Sequence, residues 1–171
     1  MRIRSKAVLI TSFSLAIARL AAGESNISVN SSAFHSGEKI PAQFTCKGAN
    51  VNPPLEFQNI PTSAKSLALI VDDPDAPNGL FTHWLVWNIA PAAGQIAEKS
   101  MPPGAVQGTN GFGKSGYGGP CPPSGTHRYF FRVIALDRML DLRSGAKRAD
   151  FDKATAGHVL ARGELMGRFS H

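Results

Sequence analysis

The segments DDPDAPNGLFTHW, residues 72–84, and GGPCPPSGTHRY, residues 118–129, decide how this chain folds and what it binds. Each segment is a proline-containing loop that delivers a histidine, His83 or His127, to the start of an apolar run. Asp and Pro favour turns, because Asp accepts local backbone hydrogen bonds and Pro fixes φ. If the fold brings the two loops together, they form a pocket with two imidazoles, a carboxylate and backbone N–H groups. Such a pocket suits a small anion.

Apolar runs beside these segments predict a β-rich fold. Residues 66–71 (SLALIV) have the composition of a central strand, and residues 83–89 and 128–136 are rich in aromatic and branched side chains. Because side chains alternate along a strand, His127 and Tyr129 should share one face. The 17 Gly and 12 Pro also favour an all-β protein with many loops, and 171 residues suffice for one domain.

Two further segments carry structural predictions. Residues 150–162 have the apolar spacing of a helix that stops at Gly163. Residues 102–126 contain eight glycines and five prolines, which predicts a long loop. The aromatic side chains of Phe112 and Tyr117 favour an ordered, functional loop.

The N-terminus has the pattern of a secretory signal peptide, assigned to residues 1–23, ahead of a domain at 24–171. Three basic residues, Arg2, Arg4 and Lys6, precede an apolar stretch that is too short for a transmembrane span. An uncleaved anchor or a mis-assigned start is the alternative. Periplasmic or secreted localisation follows from the first interpretation, with no transmembrane span in the mature chain.

The charge balance argues against nucleic acid as a partner. The formal net charge is +6, but the segment 1–23 contains four basic residues and no acidic one, so +2 is left for the rest of the chain. Nucleic-acid binding requires a clustered basic patch, and the sequence of the mature chain has none.

Cys46 and Cys121 are the two cysteines of the chain. Export to an oxidising compartment favours a disulfide between them. A disulfide would close a loop of 75 residues, and the chain-entropy model gives about 4.5 kcal/mol of stabilisation for that, as an upper bound. Two free thiols are the alternative, and Cys121 would then be a candidate nucleophile.

Both loop motifs together resemble the phosphatidylethanolamine-binding protein family, and more closely its bacterial Raf kinase inhibitor-like branch. The segments CKGANVNPPL at 46–55 and GELMG at 163–167 also resemble that branch. The resemblance extends from about residue 27 to residue 169.

This resemblance implies a Greek-key β-sandwich with a few peripheral short helices, and a small surface pocket for phosphate-like anions or phospholipid head groups. The ligand-binding residues it implies are Asp73, His83, His127, Tyr129, Gly119 and Pro120. Asp75, Trp84 and Arg128 would support them. Trp84 should lie beneath the site, on the strand face opposite His83. The N–H groups of Gly118 and Gly119 should point inward as an anion-binding nest.

The sequence therefore predicts an exported binding protein that catalyses no reaction and uses no cofactor or metal. A protein partner, modulated in the manner of a kinase or protease inhibitor, is a further expectation. The alternative is a metal- or histidine-dependent hydrolase that uses the same two histidines and aspartate. The chain has neither a His-Glu-x-x-His motif nor a Gly-x-Ser-x-Gly motif to favour that alternative.

Overall fold

A computed structural model describes residues 25–171, and the expected leader at 1–23 lies outside the described residues. Within 25–171 the chain forms nine strands, one α-helix and two short 3-10 turns at Ala42–Phe44 and Pro91–Ala93. The strands are β1 (Ser25–Asn26), β2 (Ser28–Asn30), β3 (Leu55–Gln58), β4 (Ser66–Asp73), β5 (Phe81–Ile89), β6 (Gln95–Ile96), β7 (Val106–Gln107), β8 (Thr126–Leu136) and β9 (Val159–Ser170), and the helix is α1 (Arg148–Thr155).

The strands form two sheets. The larger has six strands in the order β1-β9-β8-β4-β5-β7, and the smaller has three in the order β2-β3-β6. All pairings are antiparallel except that of β1 with β9. The expectation of a mostly β protein is confirmed, and the Greek-key connectivity stays a prediction.

Strand β4 lies at the centre of the larger sheet and is buried along its whole length. Leu69 and Val71 share a core cluster with Leu55 and Phe57 of the smaller sheet, whereas the alternate residues of β4 belong to a second cluster with Phe151 of α1. Because side chains alternate along a strand, one apolar run supplies both cores. Burying a Phe side chain contributes about 1.5–3 kcal/mol, so Phe151 holds α1 on the sheet.

The helix is shorter than the sequence pattern predicts. It was expected to extend to residue 162, but it ends at Thr155, and Gly157 takes a left-handed φ of 79°. Val159–Ser170 form β9, which pairs along the whole of β8. The hydrogen bonds and packing of the long β8–β9 ladder therefore determine the structure after residue 158, although the apolar spacing of residues 150–162 favours a helix. Across residues 25–171, no helix has the length and hydrophobicity needed to cross a membrane.

The long 102–126 loop is tied down at several points. It contains the two-residue strand β7, which the sequence did not predict. The expected disulfide between Cys46 and Cys121 is present, with the Cα atoms 5.4 Å apart. Because both sulfur atoms are bonded, Cys121 is not available as a nucleophile.

Candidate functional site

The two sequence motifs meet at one end of the larger sheet. Asp73 ends β4, which lies between β5 and β8, and these two strands carry His83 and His127 near their starts. The three side chains line one cavity of about 360 Å³, together with residues 76–81, Phe112, Cys121 and Pro123. The fold therefore brings together the three residues on which the sequence prediction depended.

His127 and Asp73 form a buried pair. Nδ1 of His127 donates to Oδ2 of Asp73 at 2.7 Å, and Oδ1 of Asp73 accepts from the backbone N–H of Asp75 at 2.8 Å. Both carboxylate oxygens are thus in use, which fixes the orientation of the imidazole. Nε2 is the ring nitrogen of His127 left for a ligand in the cavity.

His83 is held in a different way. Its Nδ1 donates to the carbonyl oxygen of Gly118 at 2.6 Å. Burial lowers the pKa of His83, and this effect exceeds the opposing influence of the Gly118 carbonyl and the Asp73 carboxylate. A neutral imidazole with its proton on Nδ1 has a lone pair on Nε2. His83 therefore offers an acceptor to the cavity at neutral pH.

A β-bulge aims His83 at the site. Val71 pairs with Trp84 and Asp72 pairs with Thr82, so the register omits His83. The His83 ring packs against Tyr129, at a centroid distance of 5.2 Å, and Trp84 belongs to the core cluster that contains Tyr129. The expectation that His83 and Trp84 occupy opposite faces is thus wrong, because the extra residue of a bulge changes the alternation. Trp84 is buried and packs against Tyr117, and its supporting role beneath the site stays a prediction.

Tyr129 lies below the two imidazoles and is fully buried. Its ring is 5.2 Å from that of His83 and 6.5 Å from that of His127, between centroids. Its hydroxyl has no hydrogen-bond partner among residues 25–171. Burial, followed by the nearby Asp73 carboxylate, raises the pKa of Tyr129. The hydroxyl therefore keeps its proton as an unused donor.

The predicted nest of free N–H groups does not form. The N–H of Gly118 donates to the carbonyl of His83 at 3.0 Å, and the N–H of Gly119 donates to Oδ1 of Asn50 at 2.7 Å. Pro120 is buried, and its carbonyl accepts from the backbone N–H of the disulfide-bonded Cys46. These residues brace the loop behind the cavity instead of presenting donors to it.

Asp75 and Arg128 join the two motifs at the edge of the site. The Asp75 carboxylate accepts from Nη2 of Arg128 at 2.7 Å, and from its Nε and backbone N–H at 2.9 Å each. These hydrogen bonds lower the pKa of Asp75 to about 2. Asp75 thus has a bracing role, and Arg128 supports the loop directly.

The adjacent Asp72 binds the helix α1 and not the cavity. It is fully buried and accepts from Nη1 of Arg148 at 2.7 and 2.9 Å and from Oγ1 of Thr82 at 2.9 Å. Arg132 contributes a longer contact of 3.3 Å. Asp72 therefore fastens α1 to the sheet and takes no part in the cavity.

Sequence reasoning missed the apolar mouth of the cavity. Leu80 is 56% exposed and Phe112 is 47% exposed, and both line it. The Phe112 ring packs edge-on against Phe81 at 4.8 Å and against His83 at 5.5 Å. The sequence singled out Phe112 as a loop aromatic, but only the folded chain places it at the mouth of the cavity, against His83.

The comparisons with known proteins all lead to one protein family. Residues 30–170 match the family model described as phosphatidylethanolamine-binding protein. A UPF0098 protein of Methanothermobacter thermautotrophicus is 49% identical over 142 residues, covering 80% of this chain and 94% of that protein. A crystal structure from Chlamydia trachomatis, described as a homologue of phosphatidylethanolamine-binding protein, has a TM-score of 0.82 at 41% identity and covers 86% of this chain and 99% of its own. YbcL of Escherichia coli, described as a member of the mammalian family, has a TM-score of 0.80 at 31% identity, with 85% and 99% covered.

Proposed function

Since the chain belongs to the phosphatidylethanolamine-binding protein family, we propose that its cavity binds a phosphate-like anion, free or as the head group of a phospholipid. The observation that carries the proposal is the arrangement of two buried imidazoles on one cavity. Each is fixed through Nδ1, to Asp73 for His127 and to Gly118 for His83, which leaves both Nε2 atoms for a ligand.

The hydrogen-bonding capacity of the cavity suits a partly protonated phosphate. Neutral His83 accepts a hydrogen bond from a P–OH group or from an ammonium group, while His127 donates to a phosphate oxygen when its ring is protonated. A charge-assisted hydrogen bond contributes about 1.5–3 kcal/mol, so a small anion alone should bind weakly.

Features of the cavity mouth support the lipid source over free phosphate. Leu80 and Phe112 expose apolar surface directly above the polar floor. A ligand with an apolar part next to its phosphate would bury this surface, at about 25 cal/mol per Å². A phospholipid head group with its glycerol and acyl chains has that chemistry, whereas inorganic phosphate does not.

The proposal includes export to the periplasm or the cell exterior. It is supported by the disulfide between Cys46 and Cys121, a bond typical of oxidising compartments, and by the signal-peptide pattern at 1–23. The ordered 102–126 loop is then the surface through which the chain would modulate a protein partner, in the manner of a kinase or protease inhibitor. No reaction is needed for either role.

An NMR titration of the imidazole resonances tests the proposal, with inorganic phosphate, phosphoethanolamine and a short-chain phosphatidylethanolamine below its micelle concentration. We expect saturable shifts at His83 and His127, strongest for the lipid. His83→Ala or His127→Ala should weaken binding by about tenfold or more, because each removes one hydrogen bond to the ligand.

The matched control is His35→Ala, which removes an exposed histidine outside the cavity. It should bind like the wild type. Imidazole shifts that do not respond to any of the three compounds, or that respond equally in His127→Ala, would mean that the cavity is not the binding site.

A hydrolase is the second candidate, and the buried His127–Asp73 pair favours it. A carboxylate on Nδ1 orients an imidazole as a general base with Nε2 towards the substrate. Within residues 25–171, no group of three or more His, Cys, Asp and Glu side chains is placed to hold a metal ion. Turnover of p-nitrophenyl phosphate or p-nitrophenyl acetate, with or without stoichiometric zinc or iron, that disappears in His127→Ala would establish the hydrolase.

A further inference from the structure

The outer face of β8 and β9 lies on the side of the larger sheet away from the histidine cavity. Side chains alternate along each strand, and the two strands pair in regular register from Thr126 to Ala135. His127, Tyr129 and Phe131 are buried, so the residues between and after them point outward. The outer face consists of Arg128, Phe130 and Arg132 of β8, Arg162, Glu164, Met166 and Arg168 of β9, and Lys39, which pairs with Arg168 in an isolated parallel bridge.

Cationic side chains dominate the outer face. Its five Arg and Lys residues stand against two carboxylates, that of Glu164 and that of Asp75, which bonds Arg128 at the edge. The face therefore has a formal charge of +3. Residues 25–171 contain 14 basic and 11 acidic residues, so the rest of the described chain is balanced. The cations come from three separate segments of the sequence, and strand pairing gathers them on one face.

Much of this charge has no partner within the described chain. Arg128 bonds Asp75, and Arg132 lies 3.2 Å from a carboxylate oxygen of Glu164. No carboxylate oxygen among residues 25–171 lies within 4.0 Å of the cationic groups of the other three, which are Lys39, Arg162 and Arg168. Like charges opposite each other on paired strands repel, as at Arg128 and Arg168. An acidic group bound between them would remove this repulsion.

Phe130 and Met166 form an apolar centre between the cations. The two residues are directly paired across the strands, and each is half-buried. Cζ of Arg132 lies over the Phe130 ring at 4.6 Å from the centroid, and Cζ of Arg128 lies at 5.8 Å. A guanidinium group that stacks on a ring keeps N–H groups at its edge for a carboxylate. Aromatic residues, Met and Arg are also the residue types enriched where two proteins meet.

The pattern of charge and apolar surface favours an acidic protein segment as the occupant. A second copy of the chain would bring the same positive face and be repelled. A row of nucleic-acid phosphates would meet the carboxylates of Asp75 and Glu164. Phe130 and Met166 are half-buried in a sheet and do not protrude as a bilayer anchor would.

A protein segment can satisfy both parts of the face. Its carboxylates would bind the cations, and its apolar side chains would cover the centre. Arg162 and Arg168 are six residues apart on β9, which corresponds to about 20 Å along a strand. An extended segment of similar length therefore reaches from one arginine to the other.

We propose that the outer face is a docking surface for an acidic segment of a partner protein, with apolar side chains between its carboxylates. Arg162, Arg168 and Lys39 would bind the carboxylates, and Phe130 and Met166 would contact the apolar side chains. This surface is separate from the 102–126 loop and lies across the sheet from the histidine cavity. The inference does not require a ligand in that cavity, so it is independent of the anion site.

An NMR titration of the backbone amides with a synthetic peptide of alternating Glu and Leu tests the inference. We expect saturable shifts at Phe130, Met166 and Arg168 that weaken as salt is added. Arg168→Glu should weaken binding by about tenfold or more, because it replaces a charge-assisted contact with a like charge. A peptide with Ser in place of Leu should bind at least about threefold more weakly, because it buries no apolar surface on the centre.

Arg143→Glu is the matched control, since Arg143 is an exposed arginine in the loop before α1 and lies outside the outer face. It makes the same change of charge and should bind the peptide like the wild type. Equal losses in the two variants, or no saturable shifts on the outer face, would overturn the inference. A thymidine oligonucleotide or phosphatidylglycerol vesicles that bind this face more tightly than the peptide, and lose binding in Arg168→Glu, would overturn it as well.

Discussion

His83 and His127 share one cavity, but their neighbours give them different chemistry. A backbone carbonyl holds Nδ1 of His83, and a carboxylate holds Nδ1 of His127. Burial lowers the pKa of His83, so at neutral pH it accepts a hydrogen bond. The same residue type thus supplies an acceptor at one position and, when protonated, a donor at the other. Under the proposed function, this difference would determine which protonation state of a phosphate fits the cavity.

The unpartnered hydroxyl of Tyr129 leads to a prediction at the same scale. Tyr129→Phe should change the free energy of unfolding by less than about 0.5 kcal/mol, because it removes a donor that makes no hydrogen bond. Tyr129→Ala should cost about 3–5 kcal/mol, because it empties a fully buried site. Urea unfolding measures both values. A loss above about 1 kcal/mol in Tyr129→Phe would reveal a partner for the hydroxyl.

At the scale of the element, the end of β4 contacts both the helix α1 and the candidate site. Asp72 and Asp73 are adjacent, and alternation along the strand turns them to opposite faces. Asp72 meets Arg148 of α1, and Asp73 meets His127 of β8. The bulge in β5 then brings His83 to the Asp73 side. The loop motif therefore couples the helix on one face of the sheet to the site on the other.

Removal of the helix partner of Asp72 should be costly. Arg148→Ala leaves a fully buried carboxylate with only the 3.3 Å contact from Arg132 and the Thr82 hydroxyl, so we expect a loss of about 3 kcal/mol in unfolding free energy. Asp152→Ala removes the exposed i,i+4 partner of Arg148 and should cost less than about 0.5 kcal/mol. Equal effects of the two variants in urea unfolding would contradict the role assigned to Asp72.

At the scale of the whole molecule, the larger sheet is packed between the smaller sheet and α1, and the site lies where its central strands end. The loop that covers the site is long and rich in glycine. It is held by the disulfide and by close packing. A Cβ on Gly119 would lie 2.5 Å from the carbonyl oxygen of Phe44, so only glycine allows this approach. The site therefore depends on the packing of this loop as well as on the histidines.

Loss of the disulfide should lower the stability of the whole domain. Replacement of Cys46 and Cys121 by Ser should reduce the free energy of unfolding by about 2–4 kcal/mol, because the unfolded chain regains the entropy of a loop of 75 residues. Urea unfolding of the double variant, and of the wild type with and without a reductant, measures the effect. A change below about 1 kcal/mol, or no effect of the reductant, would contradict this structural role.

Local chemistry in the chain was enough to predict the β-rich fold, the two loops and the pairing of Cys46 with Cys121, and it singled out His83 and His127 as candidate residues. Strand-forming runs, turn residues and a cysteine pair act over short stretches or leave few alternatives, so they can be recognised without coordinates. Family resemblance added the expectation that the two loops meet. These features require no knowledge of the exact register.

The register itself came from contacts between distant segments. Strand pairing puts the bulge at His83 and Arg128 opposite Arg168. Contacts between distant segments also give the N–H groups of Gly118 and Gly119 hydrogen-bond acceptors within the protein. The register also ended the helix at Thr155 in favour of the long β9 ladder. A shift of one residue in pairing reverses which face a side chain occupies, and no local pattern encodes that shift. The position of the site follows from its motifs, but its donors and acceptors depend on how the strands pair.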